Sequence, residues 1–259
     1  MTFLDVDPDD PTRIVRLHDQ PLLEVGVPGT FDDSGTQCNW AMWNGSEVWL
    51  YYLGWNLGIT VPARNNTGLA VSDDGGVTFR KPFQGPVLDR TPHEPFFAYT
   101  PCILKEDEIY HCWYGSGRGW ATVGEKLEGE FEIKYGHSTD GVNWTRPNVT
   151  CLPPLDPGEV NCRPSVIKDE DTYKMWFSYR GTVDFRDGTG SYKIGYAESK
   201  DRLTWCRRDD YGGLDHSDEG WDGLMTCFAQ VADIGGRRLI FYNGNGFGAT
   251  GFGFAEWRD

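Results

Sequence analysis

The stretch RPSVIKDEDTYKMWFSYRG, from Arg163 to Gly181, decides the fold because its layout recurs along the chain. Arg-Pro stands at the head of a short apolar strand, and an aromatic strand follows that ends in Tyr-Arg-Gly. The segments that match the first strand align on Cys38, Thr100, Cys162 and Cys227, at spacings of 62, 62 and 65 residues. They are TQCNWAM (36–42), AYTPCIL (98–104), VNCRPSV (160–166) and MTCFAQV (225–231). Self-similarity at a fixed period is typical of a repeat architecture.

Two further strand types follow each of these segments. The second strands are aromatic: VWLYYLGW (48–55), YHCWYGSG (110–117), YKMWFSYRG (173–181) and LIFYNGNG (239–246). The third are TGLAVSDDGGVTF (67–79), IKYGHSTDGVNW (133–144), IGYAESKDRLTW (194–205) and TGFGFAEW (250–257). In the first three of these, Ser-X-Asp predicts a tight turn into a fourth strand. The pattern predicts an all-β fold, a β-propeller of four-stranded blades. A β-sandwich with similar hairpins is the alternative.

The repeats predict a single propeller domain over residues 1–259. The four units cover about 32–91, 92–158, 159–218 and 219–259, and a partial N-terminal blade, residues 1–31, closes the ring. Because the fourth unit stops after its third strand, residues near 13–17 are predicted to supply its outer strand. Both four and five blades are compatible with the sequence.

Composition excludes several classes of function. The formal net charge of −15 argues against nucleic-acid binding, which needs a basic surface. No apolar stretch is long enough to cross a membrane, and the acidic start MTFLDVDPDDPTR is unlike a signal peptide, so we expect a cytoplasmic protein. Seven cysteines without C-x-x-C spacing, and five histidines without triad spacing, predict neither a metal nor another cofactor.

Several segments resemble the glycosidase-like β-propeller proteins found beside bacterial surface-sugar genes. The resemblance rests on PLLEVGVPGTFDDSG, GPVLDRTPHEPFFAYTPCIL, RPSVIKDEDTYKMWFSYRG and GWDGLMTCFAQV, with the segments around them, and covers nearly the whole chain. More remotely the chain is similar to the five-bladed furanosidase clan, glycoside hydrolase families 43 and 32. That resemblance implies three carboxylates at the mouth of a central channel. The chain departs from the clan where Asn39, Pro101, Arg163 and Phe228 occupy inner-strand positions that would carry aspartate.

The loops that lead into the inner strands supply the candidate catalytic carboxylates. Cleavage of a glycosidic bond takes one carboxyl group as acid and a second as base or nucleophile. We predict Glu94 and Glu159 as this pair, with Asp33 or Asp222 as a modulator of pKa. The alternative is that these aspartates, with Asp32, cap turns through their own backbone.

The predicted ligand is a small sugar or an oligosaccharide. Arg163 and Arg180 are candidates to grip it; Arg163 also has the alternative of a structural ion pair with Glu159. The other candidate binding residues lie in or after the strands nearest the channel: His93, Trp55, Asn56, Trp120, Tyr99 and Asn243.

The sequence is compatible with three functions. The first is a glycoside-hydrolase-like enzyme that acts on a sugar or sugar-nucleotide intermediate. The second is a catalytically silent sugar-binding or scaffold propeller, and the third is a propeller recruited to other biosynthetic chemistry. An exposed blade edge also predicts a homodimer, because unpaired strand edges seek partners.

Overall fold

The structure is a computed structural model that describes residues 3–258, within which sixteen strands and two short helices form. All strand pairs are antiparallel, and the strands make five sheets. A hairpin near the N-terminus contains β1 (Leu4–Val6) and β2 (Ile14–Leu17). Sheet I contains β3 (Gly35–Trp43), β4 (Val48–Leu57) and β5 (Ala63–Ser72). Sheet II contains β6 (Ala98–Glu106), β7 (Ile109–Val123), β8 (Lys126–Ser138) and β9 (Thr150–Leu152).

The second half of the chain forms two more sheets. Sheet III contains β10 (Glu159–Asp169), β11 (Thr172–Gly181), β12 (Lys193–Ser199) and β13 (Cys206–Arg207), and helix α1 (Asp209–Gly212) follows it. Sheet IV contains β14 (Cys227–Ile234), β15 (Arg237–Asn243) and β16 (Phe252–Glu256), with helix α2 (Asn245–Gly248) before β16. Each of sheets I to IV lies within one of the four units that the sequence predicts. The prediction of an all-β fold built from repeated antiparallel sheets is confirmed.

The first strands of the four sheets pack against one another in chain order, β3 on β6, β6 on β10 and β10 on β14. They are therefore the inner strands of the propeller. The aromatic second strands lie outside them because their alternating large side chains fill the space between neighbouring sheets. Trp113 of β7, for example, contacts Tyr173 of β11 and is fully buried.

Hairpin turns follow the chemistry of their residues. The two-residue turn between β6 and β7 has Asp107 and Glu108 both at positive φ, and the turn between β14 and β15 has Gly235 and Gly236 in the same region. Two successive residues at positive φ form the type I′ turn, whose twist matches that of the strands.

The predicted Ser-X-Asp turns are present in sheets I, II and III. Ser199 Oγ lies 3.0 Å from Asp201 Oδ1, which also accepts hydrogen bonds from the backbone N–H groups of Leu203 and Thr204. These bonds stabilise the charged carboxylate and lower the pKa of Asp201 to about 2. The pKa values of Asp74 and Asp140, in the equivalent turns, are lowered for the same reason.

Because the folded-state pKa of Asp201 lies below its ordinary value of 3.8, this turn stabilises the fold fully only above that value. We expect the free energy of unfolding to fall as the pH drops from about 4 towards 2. Asp201→Ala should flatten this part of the profile, whereas Asp210→Ala, at an exposed position of α1, should leave it unchanged. Urea unfolding followed across this pH range measures the effect, and identical profiles for the wild type and Asp201→Ala would contradict it.

The N-terminal segment departs from the prediction. Residues 13–17 were expected to form the outer strand of the fourth unit, but β2 pairs with β1 in a separate hairpin. A hydrogen bond from Arg237 to the carbonyl of Asp9 joins the hairpin to sheet IV. The prediction placed a strand correctly but gave it the wrong partner.

A β-bulge interrupts the inner strand of every sheet near the point where the repeats align. In sheets II, III and IV the bulged residues include Thr100, Arg163 and Phe228, and each has a φ between 49° and 61°. The sequence alignment places Pro101 at the position equivalent to Arg163, whereas the bulges show that Thr100 occupies the equivalent position. Left-handed backbone is costly for residues other than glycine and is found most often at functional sites.

Among residues 3–258, no helix combines the length and the apolar character that crossing a bilayer requires.

Candidate functional site

The four inner strands all begin at the same end of the propeller, which we call the mouth. The predicted carboxylates Asp33, Glu94, Glu159 and Asp222 lie in the loops that enter these strands or at the first inner-strand residue. The structure therefore brings them to one end of the molecule, as the sequence predicted. What each carboxylate contacts decides what it can do chemically.

Three of the loops share a contact that the sequence analysis missed. In each loop an acidic side chain accepts a hydrogen bond from the hydroxyl of a tyrosine on the second strand of the sheet, twenty residues later in the chain. The pairs are Asp32 with Tyr52 (2.9 Å), Glu94 with Tyr114 (2.9 Å) and Asp222 with Tyr242 (2.8 Å). All three acids are buried, so these bonds anchor each loop to its second strand. The signal was in the sequence as a recurring acid-to-tyrosine spacing.

Glu94 is the most enclosed of the predicted catalytic groups. Its carboxylate accepts hydrogen bonds from Tyr114 and from Ser116 Oγ at 2.7 Å, and it forms an ion pair with Arg146 at 3.4 Å. Only 1% of its side chain is exposed. In this arrangement the carboxylate stabilises the loop and has little access to a ligand.

Glu159 begins β10 and forms an ion pair with Arg207 Nη1 at 2.6 Å. It also accepts a hydrogen bond from the backbone N–H of Leu155. The alternative of a Glu159–Arg163 ion pair is wrong, because Arg207 occupies that role from the outer part of the same sheet. Glu159 does line a cavity of about 410 Å³ together with Tyr179, Arg180 and Thr182, which we call the polar pocket.

Asp33 caps the turn before β3. It accepts hydrogen bonds from the backbone N–H of Gly29, from Asn56 Nδ2 and from Ser34 Oγ, and these bonds lower the pKa of its carboxyl group. Asn56 also donates to the carbonyl of Thr30. Asp33 therefore caps this turn, which is the alternative role given in the sequence analysis.

Three arginines at the mouth contrast with these paired acids. Arg118, Arg163 and Arg180 are not exposed, yet no carboxylate of residues 3–258 lies within ion-pair distance of them. The other arginines of the described chain that are not exposed each have a carboxylate partner: Arg146, Arg202, Arg207, Arg237 and Arg238. In a chain of net charge −15, three buried or half-buried arginines without carboxylates are unexpected.

Arg163 lies at the axis of the propeller. Its guanidinium stands 4.8 Å from the ring centre of Phe228, on the neighbouring inner strand. The ionisable groups around it come from all four inner strands: Cys38, Tyr99, Cys162 and Cys227. None of residues 3–258 forms a hydrogen bond with the guanidinium, and burial lowers the pKa of Arg163.

The neighbours of Arg163 do not balance its charge at neutral pH. Burial raises the pKa of Cys38 and of Cys162 to about 11 and that of Cys227 to about 12, and it raises the pKa of Tyr99 as well. All four groups are therefore protonated and neutral near pH 7. The guanidinium is left as an uncompensated positive charge between the four inner strands.

Arg180 crosses from sheet III to sheet II. It donates to the hydroxyl of Tyr192 and to the carbonyls of Gly181 and Gly129, and its guanidinium lies 3.8 Å from the ring centre of Phe185. Arg118, at a bulge in β7, crosses in the opposite direction and donates to the carbonyl of Glu159. Its Nε atom is buried without a partner among the described residues.

An aromatic groove of about 680 Å³ opens at the mouth between the β4–β5 and β7–β8 hairpins. Phe97, Trp120 and Phe131 line it, together with Gly129, whose carbonyl accepts the bond from Arg180. Trp120 is half-buried, so part of its indole remains available to a ligand. The groove and the polar pocket thus lie on either side of Arg180.

The remaining predicted binding residues do not join this groove. Tyr99 is buried against Phe97 and Phe131, and the Trp55 ring packs on Gly35, where any Cβ would collide with it. Asn243 donates to the carbonyl of Phe247 at 3.3 Å. His93 is exposed in the turn before Glu94. Trp120 and Trp55 were both predicted as binding residues; Trp120 lines the groove, whereas Trp55 packs against Gly35.

Solved structures with similar folds include glycoside hydrolases. A structure described as "Glycoside hydrolase" superposes with a TM-score of 0.66 at 17% identity, covering 88% of this chain and 70% of the other. A thermostable family-43 glycoside hydrolase gives a TM-score of 0.62 at 16% identity, covering 85% of this chain and 70% of the other. The Bombyx mori GH32 beta-fructofuranosidase BmSUC1 gives 0.58 at 20% identity, with coverages of 84% and 43%. At these identities the likeness establishes the fold, a glycosidase-like β-propeller similar to families 43 and 32.

Sequence relatives place the chain in a family. It is 34% identical over 244 residues to "Uncharacterized protein Rv1502" of Mycobacterium tuberculosis (strain ATCC 25618 / H37Rv), which covers 94% of this chain and 78% of that protein. "Uncharacterized protein MT1551" of strain CDC 1551 / Oshkosh matches with the same identity and coverage. The chain belongs to the protein family of these two mycobacterial proteins. No family model matches it.

Proposed function

We propose that the protein is a carbohydrate-binding propeller that holds a small sugar or oligosaccharide in the aromatic groove at its mouth. One observation carries the proposal: the mouth acids Glu94, Glu159 and Asp222 are each engaged by partners within the protein, whereas Trp120 keeps part of its indole exposed in the groove and Arg180, which donates to Gly129 beside it, has no carboxylate partner among residues 3–258. Sugar rings stack on aromatic faces, and their hydroxyls accept hydrogen bonds from guanidinium groups. The likeness to glycoside hydrolases supports a sugar as the ligand.

The Trp120→Ala variant tests this proposal. Loss of the indole should weaken sugar binding about fivefold, because an aromatic contact of this kind contributes on the order of 1 kcal/mol. Trp43→Ala is the matched control, since Trp43 is 61% exposed and lies at the opposite end of the propeller. Isothermal titration with a panel of hexoses and oligosaccharides measures the affinities. Equal affinities for wild type and Trp120→Ala would contradict the proposed location.

Glycoside hydrolysis is the second candidate function, and the position of Glu159 favours it. Glu159 lines the polar pocket, where a ligand could reach its carboxylate. Arg207 Nη1, 2.6 Å from this carboxylate, fixes its position at the pocket, as the base or nucleophile of a glycosidase requires. The acid would then have to be Glu94, whose exposure is small, with Asp33 or Asp222 as the modulator. Recruitment to other biosynthetic chemistry would use the same groups.

Two further expectations stay predictions. One is a cytoplasmic location. The other is a homodimer through an exposed edge: the N-terminal hairpin exposes Ile14, Val15 and Leu17 by 55%, 62% and 70%. Light scattering at increasing protein concentration tests the homodimer, and a constant monomer mass would exclude it.

A further inference from the structure

We propose that Arg163, Arg180 and Arg118 form an anion-binding site at the mouth, which holds an oxyanion group carried by the ligand. This oxyanion group is a carboxylate or a phosphate, as in a uronic acid or a sugar phosphate. The inference rests on the proposed function, because it names the class of sugar that the same mouth accepts.

Two of the three arginines have donor groups without partners among residues 3–258. The guanidinium of Arg163 has no hydrogen bond and no carboxylate among residues 3–258, and the Nε atom of Arg118 is buried without a partner. Arginine presents planar, paired donors that match the oxygens of a carboxylate or a phosphate. An external anion would satisfy donors that the protein itself leaves free.

All three arginines lie near the start of β10. Arg180 pairs across the strands with Val160, at the start of β10, and Arg118 donates to the carbonyl of Glu159 beside it. Arg163 lies further along the same strand. The charges of Arg180 and Arg163 both lower the pKa of Cys162, against a larger rise from burial, so both guanidinium groups lie near this thiol. Each of the three arginines thus belongs to, pairs with or contacts residues 159–163 of β10.

The backbone conformation of Arg163 is unfavourable for a residue with a side chain. Its φ of 49° is costly for a residue with a side chain, and the following Pro164 restricts it further towards extended conformations. Glycine would adopt this conformation more easily. The side chain of Arg163 has no hydrogen bond or ion pair among residues 3–258 to offset this cost, and besides its contact with Phe228 its guanidinium is available to a ligand.

The Arg163→Gly variant separates a binding role from a structural one. It removes the guanidinium and relieves the left-handed backbone, so its melting temperature should equal or exceed that of the wild type. Arg163→Met removes the charge and keeps the bulk. Arg80→Met is the control, because Arg80 is an exposed arginine at the opposite end of the propeller and its loss changes the net charge equally.

The affinities are measured by titration with glucose, glucuronate, glucose 6-phosphate and inorganic phosphate, and with the matched galactose and mannose sets, at constant ionic strength. We expect the wild type to bind a uronate or a sugar phosphate about tenfold or more tightly than the matched neutral sugar. This preference should disappear in Arg163→Gly and Arg163→Met and persist in Arg80→Met. Preference for the uronate or for the phosphate identifies the anion.

The outcomes distinguish the two proposals. If neutral and anionic sugars bind equally and Arg163→Gly changes neither affinity, the anion site is overturned while sugar binding stands. If inorganic phosphate binds through Arg163 and no sugar adds affinity, the anion site stands and the sugar-binding function is overturned. If no compound binds the wild type, both are overturned. A lower melting temperature for Arg163→Gly with unchanged affinities would show that Arg163 is structural.

Discussion

The Glu94→Gln variant is expected to lose about 3 kcal/mol of unfolding free energy. The carboxylate of Glu94 is the only acid within ion-pair distance of Arg146 among the described residues, and 9% of the Arg146 side chain is exposed. Removing one partner of a buried pair leaves the other charge uncompensated, which costs more than the pair itself contributes. The new amide N–H₂ group would also face the hydroxyl donors of Tyr114 and Ser116.

Urea unfolding at pH 7 measures this loss. Glu108→Gln is the control, because the Glu108 side chain is 89% exposed and its ion pair with Lys105 lies at the surface, where such pairs contribute about 0 to 1 kcal/mol. Adding Arg146→Met to Glu94→Gln should recover part of the stability, since the uncompensated charge is then removed. A Glu94→Gln variant as stable as the wild type, with a lost activity, would instead assign Glu94 to catalysis.

The second large effect is expected for Trp113→Ala, about 3 to 5 kcal/mol of unfolding free energy. Trp113 is fully buried between sheets II and III, where its ring contacts Tyr135, Tyr173 and Trp205. Its Nε1–H also donates to the carbonyl of Arg202 at 2.9 Å. Alanine would leave a large cavity and remove one of the two indole donors to this carbonyl, the other being Trp205 Nε1–H.

Trp43→Ala serves as the control for this variant as well, since an exposed tryptophan should change stability by about 0.5 kcal/mol at most. Denaturant unfolding gives both values. A loss below about 1 kcal/mol for Trp113→Ala would show that sheets II and III do not depend on this contact.

The repeats could be predicted from the sequence because local chemistry specifies them. Aromatic and β-branched strands, Ser-X-Asp turns and a period near 62 residues are all visible in one chain. The partner of the N-terminal strand was not visible, because several edges of a propeller offer the same hydrogen bonds. The bulges were not predicted, and the alignment of Pro101 with Arg163 is off by one residue, since Thr100 and Pro101 both fit an extended pattern.

The candidate site was only partly predictable, because side-chain partners depend on long-range contacts. Glu159 and Arg163 are four residues apart in the chain, yet Glu159 pairs with Arg207, 48 residues further on. Arg163 and Arg180 were selected from the sequence as ligand contacts, but that they lack carboxylates follows only from the structure. The turn-capping role of Asp33 was foreseen as an alternative, whereas the acid–tyrosine bonds of the other loops were not.

The central claim is that the mouth binds a sugar through Trp120 and the arginines and does not cleave it. Proton NMR of the wild type with neutral sugars, uronates, sugar phosphates and aryl glycosides tests binding and turnover in one measurement. The account predicts saturation transfer to bound sugars, reduced in Trp120→Ala, with no new anomeric signals over time. New anomeric signals that disappear in Glu159→Gln would contradict the account and establish a glycosidase.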